Sequence, residues 1–389
     1  MILQCVFEEP LLRAQARAGI GAVIAEANAC QSRPPAAKLH QRRPVASRTG
    51  RARGGFGSTS ADYRQRPGVS VEFFRQGGAE VLLAASPCCP AGRTPLDEAD
   101  QKRVRGVLNL LRINIEKLLG TVKLVPCREL PTFVREPSGA NPLGAAAAIR
   151  SLWNIPEGPI GNLAGLIESA GVVAVRSDFG MSALAATSLR IAGMPPLILI
   201  DRAIPGDQSR MMLAHQLAHL VMHQETVSAQ AEAEADTFAH ELLLPRGRMQ
   251  SAFQAPARIE PGDLEDLRTH WQVPSATLLE RAHALDLIDT RTRNRLWTYA
   301  RIRSYPVESR PPPHDETTTL RDMLDCFMRE RGLGIEELAR LFRIGMRDIA
   351  AWYGTSVPRT GTTSLPEARG SAVVRAIARK RGAATGARL

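Results

Sequence analysis

Residues 209–223, Ser-Arg-Met-Met-Leu-Ala-His-Gln-Leu-Ala-His-Leu-Val-Met-His, constrain the fold more than any other stretch of the chain. Read as a helix, they set His215 and His219 one turn apart on one face. Their Cβ atoms then lie about 6 Å apart, the separation at which two imidazoles can share a metal ion. Met212, Leu213, Leu220 and Val221 flank the pair, so the helix is expected to be buried. A buried histidine needs partners for its ring nitrogens, and one zinc ion takes up a nitrogen from each ring at once.

A tetrahedral catalytic metal needs a third protein ligand and an open position. The next helical stretch, residues 231–245, reads Ala-Glu-Ala-Glu-Ala-Asp-Thr-Phe-Ala-His-Glu-Leu-Leu-Leu-Pro. Ala235, Phe238, Ala239 and Leu242 form its core stripe, and Pro245 ends it. Glu234 borders that stripe and can point inward beside the first helix, with Glu232 as the neighbouring alternative. The expected third ligand is Glu234. His223, one turn beyond His219, is expected at the surface where the helix ends, and His240 in the surroundings of the site.

Together, Ala-His-Gln-Leu-Ala-His-Leu-Val-Met-His and Glu-Ala-Asp-Thr-Phe-Ala-His-Glu-Leu-Leu-Leu-Pro resemble the ImmA/IrrE family of zinc metallopeptidases. That family carries H-E-x-x-H on one helix and E-A-(N/D)-x-F-A-x-x-L-L-x-P on the next. The similarity extends over roughly residues 145–310, from Ala-Ala-Ala-Ile-Arg-Ser-Leu-Trp-Asn-Ile-Pro upstream to His-Trp-Gln-Val-Pro-Ser-Ala-Thr-Leu-Leu-Glu-Arg-Ala downstream. The resemblance implies an α+β, zincin-like domain that binds Zn2+ through His215, His219 and Glu234. It also implies a regulator acting on a protein substrate, a transcriptional repressor.

One position departs from the pattern. The family's catalytic glutamate falls at residue 216, which here is Gln216. In zincins that glutamate takes the proton of the attacking water and passes it toward the leaving nitrogen. A carboxamide keeps the shape and can hold a water by a hydrogen bond, but it has no useful basicity near neutral pH. Metal binding is expected to survive this change and efficient hydrolysis is not, since a positioned general base contributes about 100- to 10,000-fold.

The chain has 389 residues, room for two or three domains, and its 5% aromatic content leaves the core to aliphatic packing. Cys5, Cys30, Cys88, Cys89, Cys127 and Cys326 show no C-x-x-C spacing and read as reduced thiols of a cytoplasmic protein. No apolar run reaches the roughly 18 to 20 residues that a membrane helix requires. The net charge of +11 is unevenly placed: residues 33–66 carry +8 and residues 355–389 carry +6, which leaves −3 for the rest. Any attraction to nucleic acid is therefore expected from basic tails rather than from the folded middle.

Residues 1–66 are expected to be a disordered basic leader, and 67–144 a helical segment and connector whose helix covers 98–119. Within the metallopeptidase-like domain, 145–310, helices are expected at 145–153 and 163–169. Strands are expected at 172–176, 181–187 and 197–200, a small sheet of the kind whose edge strand can hold an extended peptide. Ser275 is the expected cap of a later helix, and helical spacing continues over 291–303. Pro311-Pro312-Pro313 marks a hinge, followed by three short helices in a helix-turn-helix-like region, 311–354, and a flexible basic tail, 355–389. Two readings compete with a working peptidase: a non-catalytic regulatory module that keeps the metal site, and a DNA-binding regulator that uses the C-terminal helices and the tails.

Overall fold

A computed structural model of the chain describes residues 98–133, 141–177, 185–223, 229–254, 259–302, 312–345, 349, 353 and 372–376. The expected leader, the segment up to residue 97, most of the third C-terminal helix and most of the basic tail lie outside the described residues.

Helix α1, Glu98–Leu119, follows its apolar spacing and is succeeded by strand β1, Val122–Val125. Helix α2, Pro142–Leu152, starts where Asn141 accepts a hydrogen bond from the Gly144 amide. Helix α3, Leu163–Ser169, starts in the same way at Asn162, the side chain satisfying one of the unpaired amides of the first turn. Gly171 then adopts φ +84°, where a Cβ would also strike the Pro126 ring, so glycine lets the chain turn tightly into β2, Val173–Ser177. Strands β3, Ala186–Leu189, and β4, Leu197–Asp201, complete a sheet of order β2-β4-β3, in which β2 is parallel and β3 antiparallel to β4. All of these strand residues except Arg176 are buried, so the sheet is covered on both faces. The strand expected at 181–187 is displaced: β3 begins at Ala186, and residues 178–184 lie outside the described set.

Helix α4, Gly206–Met222, contains the histidine pair, and α5, Ala229–Leu243, contains the acidic stretch. There follow α6 (Arg246–Gln254), α7 (Pro261–Trp271), α8 (Ser275–Ala284) and α9 (Thr290–Ile302). Pro274 takes the capping position of α8 and makes no side-chain bond, while Ser275, the expected cap, is the first helical residue. One apolar cluster joins Ile149 of α2, Leu213 and Leu217 of α4, Phe238 and Leu242 of α5, and Leu278 and Leu279 of α8. Buried Arg150 adds a polar tie, donating from α2 to the carbonyl of Leu242 in α5.

Beyond residue 311 the structure corrects the sequence reading. Residues 312–318 do not hinge away; they lie as a strap against the start of α4. A Cβ at Gly206 would overlap the Pro312 carbonyl oxygen, so glycine is required at this close approach. Asp315 pairs with Arg210 of α4 at 2.6 Å, both side chains almost fully buried, and also accepts from the amides of Leu163 and Ala164 at the start of α3. Helix α10, Thr319–Arg331, continues from the strap, its first amides bound by the carboxylate of Glu168. It packs against β1, β2 and the last strand, β5, Val373–Ala376, which follows α11, Ile335–Phe342. Strand β5 pairs antiparallel with β1, so residues 373–376, expected within a flexible tail, are ordered by backbone hydrogen bonds.

The chain divides into two compact units. Among the described residues, one contains 98–114, 334–345 and 349, with Leu108, Leu111, Leu338 and Phe342 among its buried side chains. The other contains the described residues from 115 to 333 together with 353 and 372–376, and hence the three-stranded sheet, the strap and helices α2 to α10. The expected helical region 311–354 is thereby divided, since α10 belongs to one unit and α11 to the other. Among the described residues, no helix is long and apolar enough to cross a membrane.

Glu168 gives this second unit a pH dependence. Burial pushes its carboxyl up from the ordinary 4.5 to about 7, against the opposing effect of the Thr318 and Thr319 amides. A carboxyl whose pKa is raised on folding stabilises most below its unfolded pKa and loses that contribution as pH rises through its folded value. Unfolding free energy should therefore fall by roughly 3 kcal/mol between pH 4.5 and pH 7 from this group, two to three pKa units at 1.36 kcal/mol each. Glu168→Gln, compared with the parent by urea denaturation across that range, should flatten this part of the profile. An unchanged pH profile would remove Glu168 as its source.

Candidate metal centre

Helix α4 is buried on nearly every side: fifteen of its seventeen residues are buried, so its polar side chains must find partners within the protein. Near its start, Asp207 pairs with Arg268 of α7 at 3.3 Å, and Arg210 pairs with Asp315 and the Ile160 carbonyl. One and two turns later come the histidines, His215 at 2% and His219 at 5% exposure.

The two rings turn their Nε2 atoms toward each other at 3.0 Å. The carboxylate that joins them is Glu232 of α5, with Oε2 3.3 Å from His215 Nε2 and Oε1 3.5 Å from His219 Nε2. All three side chains offer a ligand atom within 4.8 Å of the others. A tetrahedral zinc ion with bonds of 2.0 to 2.1 Å separates its ligand atoms by about 3.3 Å. The observed separations match the edges of such a tetrahedron. Two imidazoles and one carboxylate also form a donor set suited to a borderline divalent metal, with one position left for a fourth ligand.

Asp236, one turn after Glu232 on the same face of α5, accepts from Nδ1 of His215 at 2.8 Å. Such a carboxylate fixes the ring orientation and keeps Nε2 free of its proton. The four-residue spacing of Glu232 and Asp236 is the sequence signal for this pair, one carboxylate meeting the metal side and the other the back of a histidine. His219 is held far below the ordinary imidazole range, at about 3, by burial first and then by His215, with Glu232 and Asp236 opposing. It is therefore neutral at pH 7. His240, half-buried on the far part of α5, also has its pKa lowered by desolvation.

Glu234, the expected third ligand, makes two close contacts of its own. Its Oε2 lies 2.9 Å from His223 Nε2, and its Oε1 accepts from Gln230 Nε2 at 2.8 Å. Glu234 is buried, as its position beside the core stripe predicts, and pairs with His223. His223 is likewise not a surface residue, since its side chain is 3% exposed and its Nδ1 lies 3.2 Å from Nδ1 of His219. Gln216 is fully buried, and neither its Oε1 nor its Nε2 has a hydrogen-bond partner among the described residues. An unpartnered buried carboxamide beside a donor cluster is the kind of group that a bound ligand or water satisfies.

Residues 167–283, from within α3 to near the end of α8, match the family described as the IrrE N-terminal-like domain, Peptidase M78. This segment is therefore similar to domains of the ImmA/IrrE type, and it contains the three-stranded sheet and the cluster of His215, His219 and Glu232. No curated protein matches the chain.

The geometry predicts one bound zinc per chain by elemental analysis, abolished by His215→Ala or His219→Ala. Glu232→Ala should weaken zinc binding in a competitive chelator titration more than Glu234→Ala does, because Glu232 lies against the Nε2 atoms of both His215 and His219. The reverse order would return the third position to Glu234.

Proposed function

We propose that the chain is a zinc-binding regulator built on an M78 peptidase domain at residues 167–283, with its hydrolytic step disabled at Gln216. The observation that carries this reading is the convergence of His215, His219 and Glu232 beside a fully buried glutamine with no partner at either end of its amide. His215, His219 and Glu232 would hold the metal, and Asp236 orients His215 from behind.

A bound zinc ion would supply Lewis acidity and lower the pKa of a water. The protein has to supply the rest. Gln216 Oε1 can accept from a water and Nε2 can donate to an oxygen, so the side chain can position a water. It cannot take up the proton that attack on a peptide carbonyl releases, nor hand it to the leaving nitrogen. What remains is a site that binds metal and positions a ligand, with hydrolysis slower by about 100- to 10,000-fold than with a general base in place.

The partner in this reading is a protein. Resemblance to the ImmA/IrrE regulators makes a transcriptional repressor the first candidate, bound without rapid cleavage, in the cytoplasm. A second reading, a regulatory module with no catalytic turnover at all, is favoured by the same glutamine.

Gln216→Glu restores a carboxylate with almost no change in volume. The zinc-loaded variant should cleave candidate repressors measurably and lose that activity to a chelator, while the parent cleaves them very slowly or not at all at unchanged zinc affinity. Rapid, chelator-sensitive cleavage by the parent, abolished by His215→Ala, would show that another group serves as base and would overturn the disabled-enzyme reading.

A further inference from the structure

We propose that a cavity at one end of the three-stranded sheet is a second binding site, for a small molecule that joins an anionic group to an apolar body. This goes beyond the metal reading and does not depend on it.

The cavity has a volume of about 620 Å3, within the span of sites that take up small molecules. Three pieces of chain build it, all in the same compact unit: β1 with the connector after it, the Ala170-Gly171 turn that leads into β2, and the turn between β3 and β4. Leu119, Leu124, Leu130 and Pro195 supply apolar wall, and each is only half-buried by the protein itself. The wall is tight at the Gly171 turn, where the ring of Pro126, another lining residue, takes the space that a Cβ would need.

The charged part of the lining is mainly of one sign: Lys123, Arg128 and Arg190, against the carboxylate of Glu129. Arg128 Nη1 donates to Ser169 Oγ at 3.1 Å, and Arg190 Nη1 donates to the Leu220 carbonyl at 2.7 Å. That carbonyl lies in the last turn of α4, where helical partners run out, so Arg190 is held by a need of the helix. Both acceptors are neutral, and a guanidinium has five N–H donors, so each fork keeps its charge and most of its donors for another acceptor. Among the described residues, no carboxylate pairs with Lys123, Arg128 or Arg190, whereas Arg210, Arg268 and Arg281 of the same unit each have one. Lys123 also stands directly opposite Arg375 in the β1–β5 ladder, and both are exposed. Like charges in that position repel each other, and a nearby anion relieves the repulsion. A carboxylate or phosphate on the guanidinium donors, with its apolar body against the leucine and proline wall, satisfies both halves of this lining.

The test is isothermal titration calorimetry of the full chain at pH 7. Octanoate and octyl phosphate are the probes, with 1-octanol, inorganic phosphate and the capped peptide acetyl-(Glu-Leu)3-amide as controls. Either probe should bind one to one and at least about tenfold more tightly than octanol or inorganic phosphate, since charged hydrogen bonds and burial of the alkyl chain each contribute that much. The tighter of the two identifies the head as carboxylate or phosphate. Arg128→Gln and Arg190→Gln should each weaken binding about tenfold or more, and exposed Lys123→Gln by less.

Octanol binding as tightly as the probes removes the cations from the site, and inorganic phosphate doing so removes the apolar wall; either overturns the proposal. Tighter binding of the peptide makes the cleft a groove for an extended chain and overturns it too, as does binding of neither probe or affinity unchanged in both arginine variants. If Arg190→Gln, which also loses its bond to the Leu220 carbonyl, does not fold, Arg128→Gln and Lys123→Gln decide by the same criterion. Carboxylates and phosphates also bind zinc, so the titrations are repeated on protein stripped of metal by a chelator. Affinity retained there supports the cavity; affinity lost with the metal places the probe on the metal centre and overturns the proposal. A parent that binds no zinc brings down the metal reading alone and leaves these titrations valid.

Discussion

The burial of α4 on nearly every side is the constraint on which the rest of the structure depends. A helix running through a core has no water to turn its polar side chains toward, and a buried polar group without a partner costs about 1 to 3 kcal/mol. Several polar residues of α4 therefore meet partners on other elements. Asp207 holds Arg268 of α7, Arg210 holds the strap at Asp315, and Ser209 accepts from Arg176 of β2. His215 is met by Asp236 and His219 by His223. Much of the fold around the site can be read as the set of partners that this one helix requires.

Gln216, next to His215 in the chain, is the exception. Its neighbours on α4 are satisfied by protein groups, while both ends of its amide are left without a partner. A glutamate at this position would be a buried charge with a proton to exchange; a glutamine is a neutral group of the same shape. The substitution preserves packing and removes basicity, which is why metal binding and hydrolysis are expected to part company in this chain. The M78 match over 167–283 shows what this segment is similar to, and Gln216 lies within it.

The strap and the short sheet of β1 and β5 show how distant parts of the chain support that helix. Asp315 reaches across to Arg210, and Glu168 binds the first amides of α10, so the segment after the proline run is fastened at two points within the second unit. Prolines in sequence suggest a hinge because they break regular structure. They do not reveal that the carbonyls they expose fit against a glycine, here Gly206, where no side chain interferes.

By itself the sequence determined the elements whose periodicity is strong and local: α1, the histidine helix, the acidic helix ending at Pro245, and the pairing of His215 with His219. It also determined the absence of a general base at residue 216. Only the tertiary structure decided which glutamate meets the histidines. Glu232 and Glu234 are two residues apart on one helix, and the apolar stripe identifies Glu234 as the more buried of the two without saying against what. The rotation of α5 on α4 turns Glu232 and Asp236 toward the metal-facing histidines and Glu234 toward His223, a contact between helices that no local spacing encodes. The same holds for β5: Val373 and Val374 favour a strand, but four residues in a basic stretch form one only because β1 pairs with them.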